Sequence, residues 1–97
     1  MFYFVYILLS LKDGKFYIGS SANIERRIVD HNSGKNISTK NRRPLILIFY
    51  EAYLEKTDAL RREQYFKTTK GKVTLRQMLR DYLNSPTAKI DNISKIT

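Results

Sequence analysis

Residues 2–9 form an unbroken apolar and aromatic run, Phe-Tyr-Phe-Val-Tyr-Ile-Leu-Leu, which gives way to Lys12-Asp13-Gly14-Lys15. Aromatic and β-branched runs favour strands, and Asp-Gly between two such runs signals a hairpin. Phe16-Tyr17-Ile18-Gly19 reads as the returning strand, with a turn at Gly19-Ser20-Ser21. The first strand places large apolar groups on both faces, Phe4, Tyr6 and Leu8 on one and Val5, Ile7 and Leu9 on the other. A strand of that kind is expected at the centre of a sheet covered on both sides. With a two-residue turn at Asp13-Gly14, Tyr17 faces Ser10 and Tyr6 faces Ser21. The tyrosines then share a face about 13 Å apart, and a longer loop or a bulge would bring them closer.

The period changes after Ser21. Ile24 and Ile28 with a charged complement predict a helix from a Ser21 or Asn23 cap through His31, stopped by Asn32-Ser33-Gly34. A polar, basic loop runs to Pro44, and Leu45 to Tyr53 is a third strand broken only by Glu51. Thr57 or Asp58 is expected to cap a second helix through Lys67. Thr68-Thr69-Lys70-Gly71 reads as a break, and Thr74 to Leu83 as a third helix with Leu75, Met78, Leu79, Tyr82 and Leu83 on one face. The expected fold is α+β, a three-stranded antiparallel sheet flanked by three helices in the order strand, strand, helix, strand, helix, helix. One domain spans residues 1–84, and residues 85–97 read as a polar tail.

Composition narrows the partners. The chain has 97 residues, with 18 Lys plus Arg against 9 Asp plus Glu and a net charge of +9. It has no cysteine, and its one histidine is His31, which excludes disulfides and zinc sites built from Cys or several His. The leading apolar run is about half the roughly 20 residues a membrane span needs, so the expected compartment is the cytoplasm. The positive charge favours polyanions such as nucleic acid. Between residues 26 and 43 six cations, Arg26, Arg27, Lys35, Lys40, Arg42 and Arg43, face Asp30 as the one acid.

Val-Tyr-Ile at 5–7, Tyr-Ile-Gly at 17–19, Arg27, His31 one helical turn later and Glu63 on a later helix follow one another in a meaningful order. So do the stretches KFYIGSSANIERRIVDHNSG, STKNRRPL and ALRREQYFK. Over residues 3–67 the chain resembles the GIY-YIG nuclease family, specifically its small single-domain members and the catalytic domain found in the nucleotide-excision-repair endonuclease. Two departures are mild: Phe4 stands where the name motif has Gly, and Ser21 where Thr is frequent. A third bears on activity, because many active members carry a helical Asn after the Glu, and here Asn84 falls only at the end of the third helix.

The resemblance implies roles. Glu63 matches the single carboxylate that ligates a metal, which suits Mg²⁺ or Mn²⁺. Arg27 matches the phosphate-clamping arginine, and Tyr6 and Tyr17 match the motif tyrosines, one acting with His31 to activate water. The base stays open among them. Phosphodiester cleavage needs such parts: a base for water, a cation for developing charge and help for the leaving oxygen. Arg27 and His31 at i and i+4 share one helix face. Arg26, Lys35, Lys40, Arg42, Arg43 and Lys67 complete the expected nucleic-acid contacts. The bland reading of Glu63 is a surface pair with Lys67, worth a few tenths of a kcal/mol. The expected function is a metal-dependent DNA endonuclease, selective for branched or flapped DNA in repair or recombination, with a protein partner supplying specificity. Its competitors are a nucleic-acid-binding module that has lost cleavage and a protein-interaction domain.

Overall fold

The structure, a computed structural model, describes residues 1–85. The polar tail therefore lies, from Pro86 onward, outside the described residues. The strands are β1 (Tyr3–Ser10), β2 (Phe16–Ser21) and β3 (Leu45–Tyr53), antiparallel in the order β2-β1-β3. The principal helices are α1 (Ile24–Asn32), α2 (Lys56–Lys67) and α3 (Thr69–Met78), followed by a single turn, α4 (Arg80–Leu83). The α+β architecture expected from the sequence is present, with β1 at its centre.

Alternation along β1 builds two cores. Val5 and Ile7 join Ile18, Ala59, Phe66 and Leu75 beneath α2 and α3. Tyr6 and Leu8 join Leu45, with Tyr17, Ile24, Ile28 and Leu47 packed around them beneath α1. Both faces of β1 are thus covered, which is why its run shows no polar alternation. Arg62 ties α2 to β3 through a two-pronged ion pair with Glu51, at 2.9 and 3.2 Å, and its guanidinium lies 4.3 Å from the Phe66 ring centroid.

The hairpin corrects the expected register. Ser10 N–H donates to the Lys15 carbonyl (3.0 Å) and Gly14 N–H to the Ser10 carbonyl (2.9 Å), so residues 11–15 form the loop. The Ser10 hydroxyl accepts from Lys12 and Asp13 N–H groups and donates to the Arg42 carbonyl at 2.6 Å. These bonds outcompete a tight Asp-Gly turn. Tyr6 consequently faces Gly19, and Tyr17 faces Leu8.

Helix limits shift for local reasons. Asn23 is the α1 cap, its side chain accepting from Arg26 N–H at 3.1 Å, while Ser21 accepts from Asn23 N–H. Helix α2 starts after Glu55, earlier than the expected Thr57 or Asp58 cap, and Asp58 instead pairs with Arg61 at 2.9 Å in the first turn. Thr68 alone separates α2 from α3: its hydroxyl donates to the Tyr65 carbonyl and accepts from Gly71 N–H. Gly71 is therefore inside a helix where the sequence suggested a break, and the expected Thr74–Leu83 helix is interrupted at Leu79. A Cβ on Gly71 would collide with the Tyr65 carbonyl. Gly71→Ala is expected to cost about 3 kcal/mol, as overpacking against rigid backbone does, and urea unfolding should show it as a lower midpoint at unchanged slope.

Candidate active site

The face of the sheet beneath α1 gathers three aromatic rings. Tyr17 lies with its ring centroid 6.4 Å from that of Tyr6 and 4.7 Å from that of His31. The Tyr6 hydroxyl and His31 Nε2 share a hydrogen bond of 3.0 Å, and His31 Nδ1 shares one of 2.7 Å with Thr39 Oγ1. Tyr6, His31 and Thr39 are all buried, while Tyr17 is half-buried. A neutral imidazole carries one N–H, so one of these two bonds is donated by the ring and the other by a hydroxyl.

Gly19 makes this arrangement possible. A Cβ there would meet the Tyr6 hydroxyl and ring, so the phenol crosses β2 only because its cross-strand neighbour has no side chain. The glycine of Tyr-Ile-Gly is a packing requirement for the tyrosine of Val-Tyr-Ile.

Around the opposite side of the same strand end, Ser20 Oγ donates to Glu63 Oε1 at 2.7 Å. Glu63 Oε2 pairs with Lys67 Nζ at 2.8 Å, and the glutamate side chain is only 12% exposed. Ser20 and Arg27 line one cleft of about 510 Å³, together with Arg26, Asn23 and Lys56. Tyr6 is within electrostatic reach of Tyr17, Arg27 and Glu63. Tyr6, Tyr17 and His31 thus meet beneath α1, Arg27 borders the neighbouring cleft from the same helix, and Glu63 reaches β2 from the other face through Ser20.

Their electrostatics differ sharply. Burial, and next the Tyr17 hydroxyl, push the Tyr6 phenol far above its ordinary 10.0; Glu63 adds to this and Arg27 opposes it. Burial first and the Arg27 charge second lower His31 from its ordinary 6.5, against an upward pull from Asp30. Tyr6 is therefore a neutral phenol and His31 a neutral imidazole at pH 7.

The predicted cations divide. Arg26 is exposed in the first cleft. Lys40 and Arg43 line a second cleft of about 550 Å³ with Lys12, Asn32 and Asn41. Lys35 is exposed beyond α1. Arg42 is tied to Asp13 at 2.7 Å and to the Phe16 carbonyl at 3.1 Å, bracing the hairpin loop. Lys67 sits on Glu63. Asn84 is the C-terminal cap of α4.

Residues 2–78 match the family model described as the GIY-YIG catalytic domain. The chain belongs to the GIY-YIG family. A UPF0213 protein of Staphylococcus haemolyticus is 43% identical over 67 residues, 68% of this chain and 80% of the relative. One from Lacticaseibacillus paracasei is 39% identical over 66 residues, 67% and 73% of the two chains. The solution NMR structure of a UPF0213 protein from Bacillus halodurans is 32% identical, covering 100% of this chain and 98% of that one, with a TM-score of 0.49.

GIY-YIG proteins form a nuclease family whose members generally depend on a metal ion, and the donor set of this one fits a weakly held hard cation. No group of three or more His, Asp or Glu able to cage a metal occurs among the described residues. One well-positioned carboxylate beside a hydroxyl suits Mg²⁺ or Mn²⁺, which retain most of their waters. Ser20, Thr39, Lys12 and Lys56 were not legible as site residues in the sequence. Ser20 and Thr39 lie inside the stretches that carry the resemblance, but nothing in those stretches marks either for a role. No described helix is long and apolar enough to cross a membrane.

The pKa shifts make a stability prediction. His31 is lowered in the fold, so below its ordinary 6.5 the unfolded chain takes up a proton first and the folded state loses stability as pH falls. Asp13 is opposed by burial, yet hydrogen bonds from Arg42 and Lys15 hold it at about 2 against an ordinary 3.8. Its contribution is complete above 3.8 and fades toward pH 2. Urea midpoints against pH should therefore fall in two separate windows. His31→Gln should erase the upper slope and Asp13→Asn the lower; loss of both slopes in either variant would contradict this assignment.

Proposed function

We propose that this GIY-YIG protein is an endonuclease that hydrolyses DNA phosphodiester bonds with a Mg²⁺ or Mn²⁺ ion held at Glu63. The observation that supports it best is the buried Tyr6–His31–Thr39 chain, with Arg27 one helical turn before His31 on α1 and Glu63 bonded to Ser20 on β2. In this reading His31 is the proton sink, because a neutral imidazole can accept at neutral pH. Tyr6, kept as a phenol, carries the proton toward Nε2, and Thr39 holds the far side of the ring. Tyr17, the more exposed tyrosine, orients the attacking water. Arg27 meets charge developing on the phosphoryl oxygens. The ion, when bound, stabilises negative charge on the phosphate and leaving oxygen.

The two basic clefts support selectivity for branched or flapped DNA, with a partner protein refining the choice. Arg26 and Arg27 line the cleft at the start of α1, and Asn32 at its end borders the one holding Lys12, Lys40 and Arg43. A nine-residue helix spans about 13 Å, so a second DNA arm has its own anchor. Log affinity for DNA should fall steeply with log salt. Lys40→Ala with Arg43→Ala should flatten the slope by about one to two, and Arg42→Ala should barely change it because its charge is committed to Asp13.

The direct test incubates the protein with linear, flapped and four-way DNAs in Mg²⁺ or Mn²⁺. Cleavage of a branched substrate supports the proposal. Binding to every DNA with no cleavage under either ion would leave the binding module as the function.

A further inference from the structure

Both oxygens of the Glu63 carboxylate are already engaged. Ser20 donates to Oε1 at 2.7 Å and the Lys67 ammonium lies 2.8 Å from Oε2. The two partners are mechanically unequal. Ser20 is a short, half-buried side chain on β2, fixed by the sheet. Lys67 is 46% exposed and reaches Glu63 from the solvent side along a flexible four-carbon stem.

A hard dication takes a carboxylate oxygen at about 2.1 Å, and Oε2 is the oxygen whose present partner, a flexible ammonium rather than a sheet-held hydroxyl, can leave. Two cations on that oxygen repel each other, so the ion and the ammonium compete for it. Resting on the reading of Glu63 as the metal ligand, we propose that Lys67 is a resident cation that occupies the divalent-ion position on Glu63 and must move out for the ion to enter. Lys67 is then a positioning residue: it compensates and aims the carboxylate in the ion-free protein and lowers the affinity for the incoming ion. Ser20 keeps Glu63 oriented throughout the exchange, so the site does not collapse between its two occupants.

The test is an equilibrium titration of the full chain with Mn²⁺ alone, free ion being read by electron paramagnetic resonance and folding checked by circular dichroism. Lys67→Met should bind Mn²⁺ about 3- to 10-fold more tightly than wild type, the range expected for removing a half-exposed ion pair and its competing charge. Lys67→Arg, which keeps the cation and its grip on the carboxylate, should return to wild-type affinity or weaker. Glu63→Gln should lose the site. Lys67→Met binding no more tightly than wild type while Glu63→Gln loses the ion would overturn the exchange alone. Glu63→Gln binding as wild type does would remove the ion from Glu63, and with it both the exchange and the metal assignment.

Discussion

Glu63→Gln is expected to reduce DNA cleavage by at least about 10³-fold while leaving the fold intact and DNA binding equal or tighter. The substitution removes a charge at nearly constant shape. Ser20 can still donate to the amide oxygen, so the 2.7 Å contact survives. The ion pair with Lys67 is lost, but it is half-exposed on the lysine side and worth only a few tenths of a kcal/mol. An amide oxygen is a much poorer ligand for a hard dication than a carboxylate, so the ion loses its anchor at this position. Loss of the ion removes stabilisation of the phosphate in the transition state, a contribution of several kcal/mol. Measured without the divalent ion, binding holds or improves because one negative charge no longer faces the DNA backbone. Initial rates and a filter-binding isotherm on the same substrate check both halves. A variant that cuts at the wild-type rate would reduce Glu63 to a surface partner of Lys67.

The parts of this architecture that follow a period were legible in the sequence. The central place of β1 comes from an uninterrupted apolar run, the limits of β3 from a run broken only by Glu51, and the convergence of Tyr6 and Tyr17 on one face follows from strand parity. Parity survives a two-residue difference in register because shifting by two keeps every side chain on its face. The difference itself arises from Ser10, whose hydroxyl organises a longer loop by accepting two backbone N–H groups. No dipeptide signal reports a bond of that kind.

Gly71 misleads for a related reason. As a composition signal glycine ends helices, but here it admits the Tyr65 carbonyl into the first turn of α3, a contact that exists only once both helices are formed. Thr39 gives no signal because it lies in a polar loop, where a hydroxyl has no pattern to stand out from. Its bond to His31 is created by the loop folding back over α1. Arg42 reads as one of the exposed cations for the same reason, since sequence counts its charge but not the Asp13 carboxylate that receives it.

Arg27→Ala is expected to lower turnover by about 10²- to 10³-fold with a much smaller loss of affinity, the signature of a donor aimed at charge that develops in the transition state. Arg27 is exposed on α1 and borders the cleft that also holds Ser20, four residues before His31. Because it shares that helix with His31, its loss has a second readout. Arg27 lowers the His31 pKa by disfavouring a second positive charge, so removing it should move the acid limb of the pH–rate profile to higher pH. Burial, the larger cause, remains, and the limb should stay below the ordinary 6.5. Arg27→Lys keeps a cation without the planar fork, so it should restore the acid limb more completely than the turnover. A variant that raises KM alone, with kcat and the acid limb unmoved, would make Arg27 a phosphate anchor remote from the chemistry, and the charge meeting the reacting phosphate would then have to come from the ion.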